Sequence, residues 1–210
     1  MTLPKKRWHC RKNCPPSLTE AEQLTRRWLQ ECVLALELCP FAAPVIRDSS
    51  LRIAVSAGET VEQQLRDFLL ELDLLQGCDE SEISTTLLVF DPGPEDFETF
   101  LDLLEQAQGL LDAAGLEGLV QLASFHPHYR FAGEPADALS NFTNRSPRPV
   151  LHLLRESMLT RVLAQYPDAE DIPYRNIARL EAMGREAVER LWKDQTLPKR
   201  SALPSQRRIN

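Results

Sequence analysis

Apolar residues recur along the chain with two different periods, and the changes of period mark out its elements. The segment SLTE opening at Ser17 has the form of a capping box, and Leu24, Trp28, Ala35 and Leu38 follow it until Pro40 interrupts the run. This spacing predicts a helix that closes at Cys39. Leu51, Ile53 and Val55 then alternate with Arg52, Ala54 and Ser56, the period of a half-buried strand. Val61, Leu65, Phe68, Leu69, Leu72 and Leu75 return to helical spacing, and the apolar run 86–90 that follows, bounded by DPGP, reads as a buried strand. Pro94 suits a first helical turn, Phe97, Phe100, Leu101, Leu104 and Leu111 mark the helix itself, and Gly115 ends it. Residues 119–125 read as a third strand.

Two more helices are predicted, over 150–165 and over 173–192. The second has Pro173 at its start and Ile177, Leu180, Val188 and Leu191 on one face. Strands alternating with helices predict an α/β or α+β fold: a small sheet of about three main strands in two or three layers, with crossover helices, parallel neighbours and helices at the C-terminal end. A ferredoxin-like arrangement is the alternative. The length of 210 residues suits one domain, expected over 17–192, with basic tails over 1–16 and 193–210.

Charge sharpens this division. Lys5, Lys6, Arg7, Arg11 and Lys12 crowd the first tail, and Lys199, Arg200, Arg207 and Arg208 the last, although the whole chain carries a formal charge of −7. The interior is therefore strongly acidic, which argues against nucleic acid as the main ligand, since neutralising phosphates needs a basic face. No apolar run has the length of a membrane span, and the basic start is followed by prolines rather than an apolar core, so neither a membrane location nor secretion is expected. Five scattered cysteines, Cys10, Cys14, Cys32, Cys39 and Cys78, resemble no disulfide framework and suit a reducing cytoplasm. His9, Cys10 and Cys14 lack a second pair at zinc-finger spacing, and the sequon at Asn141 has no meaning in a cytoplasmic chain.

The chemistry is expected in the polar stretch 124–156. Residues 126–149 show almost no periodicity, yet Tyr129, Phe131 and Phe142 want burial, so the segment reads as an ordered loop at a strand end, where open α/β sheets hold their ligands. Arg130, Arg145, Arg148 and Arg155 gather there in an acidic domain, and their guanidinium forks match carboxylate or phosphate. His126, directly after the strand, can serve as acid, base or metal ligand. His152 and Glu156, four apart on the predicted helix, share one face and with His126 form a set suited to iron or zinc. Cys39 stands in a compact turn beside Pro40. There the negative end of the preceding helix raises a thiol's pKa, so reactivity requires a cation from the loop.

Four separated segments, LCPFA at 38–42, SFHPHYRFAG at 124–133, NFTNRSPRPVLHLLRE at 141–156 and IPYRN at 172–176, together resemble the bacterial domain-of-unknown-function 1415 family. The likeness spans about 17–192. It implies that Cys39, His126, Tyr129, Asn141, Asn144, Arg145, Pro147, His152, Arg155, Glu156, Arg175 and Asn176 belong to the family's hallmark set, with no established activity attached. His128 and Arg148 stand where the family has other residue types. The leading expectation is an enzyme acting on a small anionic metabolite, with Cys39 and His126 catalytic and Tyr129, Asn141, Asn144, Arg145, Arg155 and Arg175 binding the substrate. The alternatives are a mononuclear metal enzyme using His126, His152 and Glu156, and a non-catalytic module that binds a protein partner.

Overall fold

A computed structural model describes residues 18–166 and 168–196, so the basic N-terminal cluster, the His9, Cys10 and Cys14 group and the last fourteen residues lie outside it. The chain begins with α1 (Glu20–Trp28), capped by the Thr19 side chain, which accepts from the Glu22 amide. Ser17, the capping residue expected from the sequence, lies outside the described residues. Beyond α1 the helix continues as a π-helical turn, Leu29–Leu34, and ends before Cys39. Glu37 then turns the chain in the left-handed region, with φ of 48°. A short helix that the sequence pattern does not reveal follows, α2 (Ala42–Arg47).

Four strands form one sheet: β1 (Leu51–Ser56), β2 (Thr85–Phe90), β3 (Val120–Phe125) and β4 (Val150–Arg155). Their spatial order is β1-β2-β4-β3. Two long helices connect them, α3 (Val61–Gly77) between β1 and β2 and α4 (Phe97–Ala113) between β2 and β3. β1 and β2 are parallel, whereas β4 runs antiparallel to both of its neighbours. The sheet is thus mixed, with β1, β2 and β3 pointing one way and β4 the other. Pro94 lies outside α4, whose N-cap is Asp96.

β4 corrects the helix expected over 150–165. Helical and buried-strand readings of VLHLLR are locally equivalent, because leucine is tolerated in both and the run is apolar throughout. Pairing decides between them. β4 takes hydrogen bonds from strands on both sides, and its pleat sends Leu151 and Leu153 to one face of the sheet and Val150, His152 and Leu154 to the other. The helix that was expected begins only afterwards, as α5 (Glu156–Leu163), so Glu156 stands in its first turn and shares no helix face with His152.

Helices cover both faces. α3 and α4 bury Phe68, Leu72, Leu75, Phe100, Leu103 and Leu111 against Leu88, Phe90, Leu151 and Leu153. On the opposite face Trp28, Leu29, Cys32 and Val33 meet Leu87, Val89 and Val150, joined there by two C-terminal helices, α6 (Ile172–Met183) and α7 (Arg185–Thr196). The single helix expected over 173–192 is broken at Gly184, whose φ of 78° suits a residue without a Cβ. α7 also runs past position 192 to Thr196.

Arg155 ties two of these layers together. Its guanidinium donates to the carbonyls of Ile83 (3.1 Å), Cys78 (2.9 Å) and Leu75, gathering the C-terminal end of α3 and the turn before β2. A cation on the last carbonyls of a helix satisfies acceptors with no intrahelical partner and complements the negative end of the dipole. Replacing Arg155 by alanine is expected to cost about 2 kcal/mol or more, given the worth of hydrogen bonds to charged groups, and lysine is expected to restore only part of it. Urea midpoints of the two variants check this.

Candidate functional site

A cavity of about 400 Å³ lies between the sheet and the helices of the α1 face. Trp28, Leu29 and Val33 from α1 and its π turn form one wall, and Ala42, Val45 and Ile46 of α2 another. The floor is the sheet itself: Leu51 of β1, Thr85 and Leu87 of β2, Phe125 of β3 and His152 and Leu154 of β4. Phe131, Thr143 and Asn144 from the long loop and Asn176 and Ile177 of α6 complete it. It therefore rests on the face of the sheet, rather than outside the strand ends where the sequence places a ligand.

Its lining is apolar apart from a few groups. His152 is fixed by Thr85, whose Oγ1 donates to the Leu153 carbonyl (2.6 Å) and stands 2.8 Å from His152 Nε2. Since the single hydroxyl proton is committed to that carbonyl, Nε2–H must donate to Oγ1. The ring is then the neutral tautomer with Nδ1 as an unprotonated acceptor. Nδ1 has no hydrogen-bond partner among the described residues. Burial pushes the His152 pKa down from 6.5 to about 4, so the imidazole is uncharged near neutral pH.

Cys39 also lines the cavity, and it stands before α2 rather than at the end of the first helix. Its Sγ accepts from the Phe41 and Ala42 amides; burial nevertheless prevails and raises the thiol above its ordinary value. The dipole argument drawn from sequence therefore has the wrong helix end, although the direction of the shift is the same. Cys32, raised to about 12 by burial and then by Glu31, is a core thiol. Trp28, only 2% exposed, carries an indole N–H without a hydrogen-bond partner among the described residues.

His126 stands on the other face. One residue beyond the end of β3, its ring lies between Phe97 and Phe100, with centroids 5.3 and 5.1 Å away. Nε2 is 2.9 Å from the Pro94 carbonyl and Nδ1 accepts from the His128 amide at 3.0 Å, so both ring nitrogens are engaged. Burial pushes its pKa down. His126 and Cys39 are thus separated by the sheet. His126, His152 and Glu156 do not form the ligand set expected from sequence, and among the described residues no group of three or more histidines, cysteines and acids could hold a metal ion.

The remaining predicted contacts build the loop. Asn141, fully buried, accepts from the Phe131 amide and donates to the Pro135 carbonyl. Arg145 donates to the Ala136 carbonyl (2.6 Å) and lies 4.2 Å over the Phe142 ring, while its own carbonyl accepts from the Trp192 indole. Tyr129 meets Phe97 at a tilt and Phe131 edge-on, and burial raises its phenol. Arg130 and Arg148 pair with Glu98 and Asp91. Asn144 alone of the expected loop contacts reaches the cavity, held by its donation to the Ser124 carbonyl. Arg175 borders a second recess beside the first.

Sequence reasoning missed Thr85, Trp28, Phe125 and Asn176 as lining residues. Thr85 carried a usable signal, a hydroxyl beside Thr86 at the head of an apolar run, which must find a partner when buried. Asn176 stood in the hallmark set without a role; it donates to the Leu38 carbonyl at 2.7 Å.

The His152 shift makes stability depend on pH. The ring is neutral in the folded protein down to about pH 4, while in the unfolded chain it takes a proton below about 6.5. Its contribution is complete above 6.5 and is lost as the pH falls towards 4, about 3 kcal/mol in all. His126, shifted the same way, adds to the trend. Urea unfolding across this window should show His152→Leu losing clearly less stability than the unaltered protein; equal losses would show that the His152 ring does not sense burial.

No curated protein and no solved structure gives a significant match to the chain. No described helix is long and apolar enough to cross a membrane. The family model for the protein of unknown function (DUF1415) matches residues 20–190, which include every strand of the sheet and every residue lining the cavity, and the chain belongs to that family.

Proposed function

We propose that this protein binds a small, mainly apolar molecule in the cavity under α1, oriented by a hydrogen bond that the molecule donates to His152 Nδ1. The observation that carries this reading is the contrast between the apolar lining and the unpartnered Nδ1 acceptor of His152. The walls are aliphatic and aromatic, no lysine, arginine or carboxylate is among them, and the fixed tautomer turns a lone pair to an otherwise unpartnered position. Pockets of a few hundred Å³ with few convergent polar groups are the common form of small-molecule sites.

The substrate expected from sequence, a small anion held by Arg145 and Arg155, finds no support in this lining, because both guanidiniums donate to backbone carbonyls elsewhere. Burial of His152 argues for orientation rather than proton transfer, since a base with a pKa of about 4 accepts protons poorly near neutral pH. A catalytic reading rests on Cys39, the one nucleophile in the lining. Its raised thiol predicts that iodoacetamide alkylates it at least about tenfold more slowly than free cysteine near pH 7.5. Mass mapping of the labelled peptide measures this, and a rate above that of free cysteine would favour thiol catalysis.

The binding reading is tested with N-phenyl-1-naphthylamine, a neutral apolar fluorophore. The unaltered protein should bind it with a blue-shifted rise in emission, and Ala42→Phe or Ile177→Phe, each filling the cavity, should weaken binding about tenfold or more while the protein remains folded. In competition, 1-naphthol should bind about fivefold more tightly than 1-methylnaphthalene, the worth of one hydrogen bond, and His152→Leu should remove that preference. No emission change with the unaltered protein, or none of these losses in folded variants, would refute the site.

A further inference from the structure

Beside the apolar cavity lies a second recess of about 340 Å³, of different chemistry. It is bordered by Glu37, Pro40, Tyr166, Arg175 and Arg179, and it shares two residues with the cavity, Cys39 and Asn176. The two spaces therefore meet at one partition, made of a thiol and of the amide that donates to the Leu38 carbonyl. One side is uncharged and apolar. The other carries two guanidiniums against one carboxylate.

The guanidiniums are not equivalent. Arg179 is engaged, paired with Glu37 at 3.1 Å and donating to the Leu36 carbonyl. Arg175 donates a single hydrogen bond, from Nη2 to the Asp168 carbonyl at 3.2 Å, and no carboxylate among the described residues pairs with it. Most of its five donors are left to solvent. In an acidic chain an unneutralised guanidinium beside the mouth of an apolar cavity suits a carboxylate, whose two oxygens match its fork.

We propose that the two recesses hold one amphipathic molecule, an unbranched monocarboxylic acid whose apolar body fills the cavity and whose carboxylate meets Arg175 across the partition formed by Cys39 and Asn176. This inference rests on the apolar-ligand reading of the cavity, with the hydroxyl that donates to His152 Nδ1 carried on the acid's chain, and adds the head group. It returns Arg175 to the role of an anion contact, now at the rim and not within a cluster of arginines. The Asn176 amide, already bonded to the Leu38 carbonyl through Nδ2, has no partner for its Oδ1 among the described residues. A chain passing the partition therefore meets the Cys39 thiol and the Asn176 amide between the apolar cavity and the charged recess, so its apolar body lies on one side and its head group on the other.

The experiment displaces N-phenyl-1-naphthylamine with straight-chain acids of increasing length and with decan-1-ol, at a pH where the acids are ionised. Affinity should rise about fourfold per methylene while the cavity fills, then level off. Decanoate should bind about tenfold more tightly than decan-1-ol at low ionic strength, an advantage that shrinks with added salt. Arg175→Gln, a change at an exposed position, should abolish that tenfold advantage and leave decan-1-ol and the fluorophore unaffected. An unchanged decanoate advantage in Arg175→Gln would overturn the head-group assignment while the cavity reading stands. Decanoate binding that survives Ala42→Phe at full strength would also overturn it, as an anion held at the surface alone. Failure of the fluorophore to bind the unaltered protein would instead remove the cavity reading on which the proposal depends.

Discussion

β4 is hydrogen-bonded along both edges and covered by helices on both faces, so the pleat leaves each of its side chains only two directions, and both lead into the interior. Leu151 and Leu153 fill the core under α3 and α4, while Val150, His152 and Leu154 are sent to the α1 face. A one-residue slip would exchange these sets, driving an imidazole among the phenylalanines of α4 and leucines into the cavity. The position of His152 is thus a consequence of strand register. Thr85, paired across from Leu154 on β2, lies where its hydroxyl bridges the imidazole and the Leu153 carbonyl, and this bridge sets the tautomer.

The same alternation separates the two buried histidines. His126 continues β3 by one residue and falls on the α4 face, where the carbonyl of Pro94 and the amide of His128 use both of its nitrogens. Such a ring closes the turn after β2 onto the start of the long loop. Around it Asn141 and Arg145 donate to the loop carbonyls of Pro135 and Ala136, and Asn144 ties the loop to β3 through the Ser124 carbonyl. Several of the polar residues concentrated in this segment thus serve its own backbone. What reaches the cavity from it is small: Phe131, Thr143 and Asn144.

Gly93 illustrates how closely this region is packed. A Cβ there would come within 2.8 Å of the Phe90 carbonyl and 3.0 Å of Pro149, so the chain crosses the ends of β2 and β4 only with a glycine at that point. The close crossing holds the turn after β2 against the end of the long loop, where β4 begins. On the opposite side of the molecule the π turn at Leu29–Leu34 presents Leu29 and Val33 to the cavity, and π turns are frequent where a helix lines a site.

Local pattern was enough for much of this architecture. The alternation of Leu51, Ile53 and Val55, the helical spacing from Val61 to Leu75 and from Phe97 to Leu111, and the DPGP stop after β2 each depend on neighbours in sequence, and β1, α3, β2, α4 and β3 follow from them within a residue or two. The hallmark residues were also visible as a set. Their division was not. VLHLLR carries the same composition whether it forms a helix or the middle of a sheet, and only the presence of β2 and β3 on either side made it a strand. That assignment broke the His152 and Glu156 pair, put His126 across the sheet, and brought Cys39, Thr85, Asn144, His152 and Asn176, from five separate stretches, around one apolar space. Burial on both faces and hydrogen bonding to distant strands are properties of the assembled chain, and no window of sequence contains them.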